Sequence, residues 1–380
     1  MNILGGGQTI MESKKRMLSQ DIAKAIIIIS VVVTHTLGCK GNFTNPLTWY
    51  NYVIMCPMGF FFLISGYNFH PGKRSTKESV WLRFKQLMLP LFRYTAFFVL
   101  ISILFNLIFD FSSFPAIAKS AYFSVTGSAF EKTFLYTYIL KDTLAPAFII
   151  PSWFIVFMFV SYVLFFFIVD FAMKNKERLI SVIIGLITIS MILFKLLNGV
   201  ANPFGIMDVP LITSLLLIGC YLGNKKFLNT ETYGKKWTVI NSVVSGVICF
   251  IVALCAPCVC LMPGGRLGKT FGMAEIPLTV LMAVLYTYSL VNFCKLIEKI
   301  PYINKALLWL GRNSLRIFLL HMPISNFISF FTGITDDATQ TTGEFFILFG
   351  LTFLITIVLT FIIELLTKLI HKNKEAKQIA

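Results

Sequence analysis

Charge is what this sequence has least of. Asp, Glu, Lys and Arg make up 13% of its 380 residues, against 57% hydrophobic residues and a mean hydropathy of +0.79. Soluble globular domains carry about 25% charged residues, so that class is excluded. Long polar stretches are missing too, and none is long enough to fold alone, so no appended soluble domain is expected. The strict alternation of a membrane β-barrel is absent, because runs such as AFFVLISILFNLIF (residues 96–109) are apolar on every face. Cysteine is present in eight copies but not in a ligand pattern. The closest approach is CAPCVC (Cys255, Cys258, Cys260), with no His, Asp or second cysteine pair beside it. These read as small apolar residues at the end of a span, and no metal is expected. Visible internal repeats of the transporter kind are lacking as well.

What is present is a series of apolar runs, the signature of an all-α polytopic membrane protein. Ten spans are predicted, near 21–38, 51–69, 87–109, 147–170, 179–197, 210–223, 238–258, 271–293, 314–334 and 344–368. The sixth is short for a bilayer. The net charge of +16 comes from 33 Lys and Arg against 17 Asp and Glu. Most of the cations fall in alternate connecting segments, such as Lys14–Arg16, Lys73–Lys85, Lys174–Arg178 and Lys225–Lys236. That alternation follows the positive-inside rule and places both termini in the cytoplasm. Topology therefore explains the charge, and no nucleic-acid partner is expected. A cleaved signal peptide is weighed for the first span, but Asp21 and Lys24 sit at its entry and nine more spans follow. Residues 1–13 read as a disordered lead, with Met11 a candidate start, 14–370 as the transmembrane domain and 371–380 as a cytoplasmic tail. The segment 110–146 is amphipathic in part and is expected to lie on the membrane surface.

Three ionisable residues stand in the first span, DIAKAIIIISVVVTH. Each costs about 2.5–3.5 kcal/mol at the centre of a span. Lys24 and His35 are eleven positions apart, so they share a helix face and lie roughly 16 Å apart along the axis. Asp21 is one turn before Lys24 and can pair with it. The pair either snorkels at the interface or forms the start of a polar stripe that ends at His35. A histidine placed so deep serves as general base, nucleophile or proton relay. In the second span, Ser65-Gly66 among aromatics permits close helix packing. The basic stretch HPGKRSTKESVWLRFKQLMLP follows as a cytoplasmic patch carried by the next loop, and Arg83 and Lys85, at the start of the third span, suit phosphate groups as well as topology. In LLWLGRNSLRIFLLHMPI, Gly311, Asn313 and Ser314 read as a turn and cap. His321 lies seven residues after Ser314 on the same helix face, and is either a structural histidine or part of the site.

The stretches DIAKAIIIISVVVTH, FFFLISGY, PSWFIVFMFVSYVLF and LGRNSLRIFLLHMPI occur in the order and approximate spacing of the membrane acyltransferase family 3. Over residues 14–370 the chain resembles that family, and most closely the branch that O-acetylates polysaccharide sugars. The resemblance implies that Lys24 and His35 match a motif of a basic residue, ten intervening residues and a catalytic histidine, with lysine where many members have arginine. It also matches Ser65-Gly66, Trp153-Phe154, and Asn313, Ser314 and His321 to family motifs. Related sequences often read His-Met-Pro where this chain has Pro57-Met58-Gly59, which leaves His321 or solvent to cover that role. The implied activity is acetyl transfer from cytoplasmic acetyl-CoA to a hydroxyl of a cell-surface or lipid-linked glycan, in the plasma membrane. Lys24, Arg83 and Lys85 would hold the donor head, Asp21 would hold Lys24, and His35 would be general base or acyl carrier. No permanently bound cofactor is expected. A transporter or flippase for a sugar-lipid or acyl group is the alternative, since ionisable residues in spans also mark transport paths. A non-catalytic membrane sensor is a third reading.

Overall fold

The computed structural model describes residues 17–37, 58–109, 114–126, 152–196, 205–228, 235–255, 275–334 and 340–379. The expected lead at 1–13, the Pro57 step, the surface segment beyond 126 and Cys258 and Cys260 lie outside the described residues. Within them the secondary structure is helical: α1 (Leu18–Thr36), α2 (Gly59–Tyr67), α3 (Thr76–Arg83), α4 (Leu89–Phe109), α5 (Phe114–Thr126) and α6 (Trp153–Ala172). There follow α7 (Lys176–Leu196), α8 (Val209–Asn224), α9 (Lys235–Cys255), α10 (Glu275–Ile297), α11 (Ile303–Arg312), α12 (Ser314–Thr332) and α13 (Thr342–Ile379). Among the described residues, seven stretches are long and apolar enough to cross a membrane, the longest being the continuous Thr76–Phe109. The chain is an all-α polytopic membrane protein. The other three expected spans correspond to α2, to the 16-residue α8, and to α9.

The basic stretch after the second span is not all loop. Ser75 ends it at Thr76 with a capping box: its Oγ accepts from the Glu78 backbone N–H at 3.3 Å, while Glu78 Oε2 accepts from the Ser75 N–H at 3.0 Å. Arg83 and Lys85 therefore stand on a helix that continues into the third span. A π-helical turn, Phe84–Met88, joins α3 to α4 immediately before Pro90. Proline has no N–H and crowds the carbonyl four residues back, so the widened turn relieves a clash a regular helix would carry.

Helix α1 is the centre of the bundle, packed by α10, α11, α12 and α13. Ile22, Ala23, Ala25, Ile27 and Val32 are completely buried. By contrast, α7, α9 and α13 present Leu196, Val247 and Phe361 outward, as lipid-facing surfaces do. Small residues set a close approach between α2 and α8. A Cβ on Gly66 would overlap the Leu216 carbonyl, and one on Gly219 the Leu63 carbonyl. The packing expected of Ser65-Gly66 is thus made by the glycine.

Helix directions follow from the contacts. Gly311 abuts the Asp21 backbone and His321 meets His35, so α1 and the α11–α12 pair run the same way. Helix α13 runs against them. Gln340, just before it, donates from Nε2 to the Thr36 carbonyl at 3.0 Å, and Phe345 packs on Val33 and Leu37. Its Glu364 reaches the α11–α12 junction instead. The bundle therefore has a basic end, marked by Lys24, and a histidine end.

Candidate functional site

At the basic end, Asp21 is 1% exposed, deeper than a snorkelling residue at an interface would be. Its Oδ1 accepts from Lys24 Nζ at 3.2 Å, and Arg312 Nε lies 3.9 Å from Oδ2. The approach depends on Gly311, whose missing Cβ leaves room for the Asp21 carbonyl. A carboxylate that deep is tolerable only with cationic partners. Next to it, Gln20 Oε1 accepts from Asn68 Nδ2 at 2.9 Å, tying α1 to the end of α2.

The α11–α12 junction carries a second polar cluster. Glu364 Oε2 accepts from Trp309 Nε1 at 2.8 Å and from Asn313 Nδ2 at 3.4 Å, and Lys368 Nζ lies 2.7 Å from Oε1. Asn313 also accepts from Arg316 Nη1 at 2.8 Å. The expected cap is therefore absent: Asn313 occupies the N-cap position, but its side chain makes no cap hydrogen bond because Arg316 and Glu364 engage it.

At the other end, the two candidate histidines, 286 residues apart in the chain, meet. His35 Nδ1 lies 2.8 Å from His321 Nε2, with ring centroids 5.0 Å apart. His321 is fully buried, and its Nδ1 lies 3.1 Å from the Ile317 carbonyl. A carbonyl only accepts, so His321 Nδ1 is the donor there. In the neutral ring, His321 Nε2 is then the acceptor, and His35 Nδ1–H donates to it. This tautomer places the lone pair of His35 on Nε2. The backbone of α12 thus orients one histidine, which orients the other, as second partners orient catalytic imidazoles generally.

An aromatic wall continues from the pair. Phe318 lies 5.9 Å from the His321 ring, Phe154 5.4 Å from Phe318, and Trp153 6.0 Å from Phe154. Trp153-Phe154 is thereby linked to the histidines through packing. Ser314 begins α12 half-buried, and Ser65 is half-buried on α2. Arg83 lines a small cavity of about 160 Å³ with Asn68, His70, Lys73 and Arg74. Its guanidinium also lies 4.4 Å from the Tyr162 ring centre. Lys85 is exposed with its ammonium 5.0 Å from the Trp81 ring centre, and it does not line that cavity.

Sequence reasoning missed Arg312 as the partner of Asp21, and it missed the cluster of Trp309, Arg316 and Glu364. One signal was available. Arg312 and Arg316 are one helical turn apart, and Glu364 is an acid inside the last span.

A family model described as an acyltransferase domain matches residues 18–361. The match takes in both histidines, Asp21, Lys24, Arg83 and the α11–α12 junction. No curated protein and no solved structure matches the chain.

Proposed function

The chain belongs to the membrane acyltransferase family 3, and from that premise we propose that it moves an acetyl group from cytoplasmic acetyl-CoA to a hydroxyl of a cell-surface or lipid-linked glycan. The observation that carries the chemistry is the 2.8 Å contact between His35 Nδ1 and His321 Nε2. It supports His35 Nε2 as the basic nitrogen and His321 as the residue that orients it.

As general base, His35 takes the acceptor O–H proton on Nε2 while that oxygen attacks the acetyl carbonyl. The C–S bond then breaks, and the proton passes to the departing thiolate. As acyl carrier, Nε2 itself attacks the carbonyl and the C–S bond breaks to release the thiolate. The sugar hydroxyl then attacks the acyl-imidazole, the N–C bond breaks, and the hydroxyl proton ends on the freed imidazole or the thiolate. Both routes need the same tautomer. The donor's anionic head suits the cations at the basic end, Lys24 and the Arg83 cavity with Lys73 and Arg74. Lys24 and His35 are separated by roughly 16 Å along α1, a length of the order of the donor's pantetheine arm. This reading puts the basic end and both termini in the cytoplasm of a plasma-membrane protein.

The test is transfer of labelled acetyl from acetyl-CoA into the glycan fraction of membranes carrying the native chain or His35→Ala. Native membranes should incorporate label, and the variant should lose about 10²–10⁴-fold in rate. Equal incorporation by both would remove His35 from the chemistry, and a native chain that transfers no label would refute the acetyl-transfer reading.

A further inference from the structure

A cleft of about 770 Å³ opens between α4, α12 and α13, apart from the histidine pair and from the Arg83 cavity. Its head carries Arg93, Arg312 and Arg316 with Tyr94, Asn313 and Thr367, and no acidic residue lines it. Arg93 is exposed inside a membrane span and forms no ion pair with a described residue. Arg316 Nη1 donates only to a neutral amide, Asn313, and lies within electrostatic reach of the Tyr94 hydroxyl. The nearby Glu364 is taken by Lys368, Trp309 and Asn313. Guanidiniums within or at the end of a span require a counter-charge, and the described residues offer these three only the distant contact of Arg312 to Asp21, at 3.9 Å.

Below the arginines the wall is apolar. Leu359, Ile363 and Leu366 form a ridge along α13, facing Leu315, Leu319 and Phe97. From Leu366 to Leu359 the ridge descends about 10 Å. Phe97 is 48% and Leu366 53% exposed, so in a bilayer the cleft opens sideways to lipid. A cationic head over an apolar strip with lateral access fits an amphiphile. It does not fit a soluble phosphate donor, whose amide-rich arm would find no polar partners along the strip.

We infer that this cleft binds a lipid-borne phosphate, with its head on Arg93, Arg312 and Arg316 and its chain along the α13 ridge. The inference is independent of the acyl-transfer reading, because neither Arg93 nor Arg316 has a role there. The fork geometry of arginine suits a phosphate held by two parallel hydrogen bonds.

The test is native mass spectrometry of the full chain in detergent with added phosphatidic acid. The native protein should retain the lipid, and Arg93→Gln with Arg316→Gln should weaken retention about tenfold or more. Ile363→Trp, which fills the strip and leaves the charges intact, should weaken it as well. The lysine pair, Arg93→Lys with Arg316→Lys, should lose less than the glutamine pair. Glycerol 3-phosphate and coenzyme A, the soluble phosphate probes, should not displace the lipid. Native-like retention by the glutamine pair or by Ile363→Trp would overturn the proposal. So would a loss in the lysine pair as large as in the glutamine pair, or displacement by either soluble phosphate.

Discussion

The two ends of α1 bury polar groups by opposite means. At the basic end a carboxylate is almost fully enclosed, and it is balanced by Lys24 at 3.2 Å and Arg312 at 3.9 Å. At the histidine end, two rings share one hydrogen bond of 2.8 Å beside Phe318, and the contact needs no net charge. An ionic cluster is tolerable where lysine and arginine stems reach toward the membrane boundary. A neutral ring pair is tolerable deeper, because the shared hydrogen bond satisfies both facing nitrogens and no charge has to be desolvated. Under the proposed function the comparison separates two tasks, attraction of an anionic ligand at one end of the helix and proton handling at the other.

The most damaging way to break the comparison is at its hinge. Gly311→Val puts side-chain atoms where the Asp21 carbonyl lies, so α1 and α11 must separate and the ionic cluster with them. An overpacked core position costs about 1–3 kcal/mol. The expected result is a lower thermal midpoint in detergent, whereas the lipid-facing Val247→Ala should stay within about 0.5 kcal/mol of native.

A smaller effect is expected from the cation itself. Lys24→Met should raise the apparent KM for acetyl-CoA by about tenfold with kcat little changed, and Lys24→Arg should restore most of the loss. A fall in kcat at unchanged KM would assign Lys24 to the chemical step instead. Smallest is the contrast between the two basic residues after α2. Arg83→Gln should raise the donor KM a few-fold, on the order of one hydrogen bond to a charged group. Lys85→Gln should leave it within about twofold of native, because that ammonium sits over the Trp81 ring on an exposed face. Equal effects would mean that the Arg83 cavity is not where the donor head rests.

The spans were legible because hydropathy is local: α4, α6, α7, α12 and α13 each announce themselves as apolar runs. The shared face of Lys24 and His35 was legible for the same reason, since 3.6-residue periodicity holds along one unbroken helix. The ten residues of α11 were not, because a short amphipathic helix reads like the loop it replaces. Helix α3 was hidden by its charges, although the Ser75–Glu78 capping box was present in the sequence. Asn313 takes the expected N-cap position but makes no side-chain cap bond, because Arg316, three residues on, and Glu364, 51 residues on, claim its side chain. The meeting of His35 and His321 had no local signature at all. It depends on α1 and α12 running in the same direction at the middle of the bundle, which only tertiary packing decides.

The most direct test of the histidine relay compares two replacements at His321. His321→Gln keeps an oxygen that accepts from His35 Nδ1–H, while His321→Leu fills similar space without an acceptor. Acetyl transfer, measured with the variants matched for thermal stability, should fall by at least about tenfold in His321→Leu and clearly less in His321→Gln. Transfer by His321→Leu equal to that of the native chain would contradict the relay and leave His35 to act without its partner.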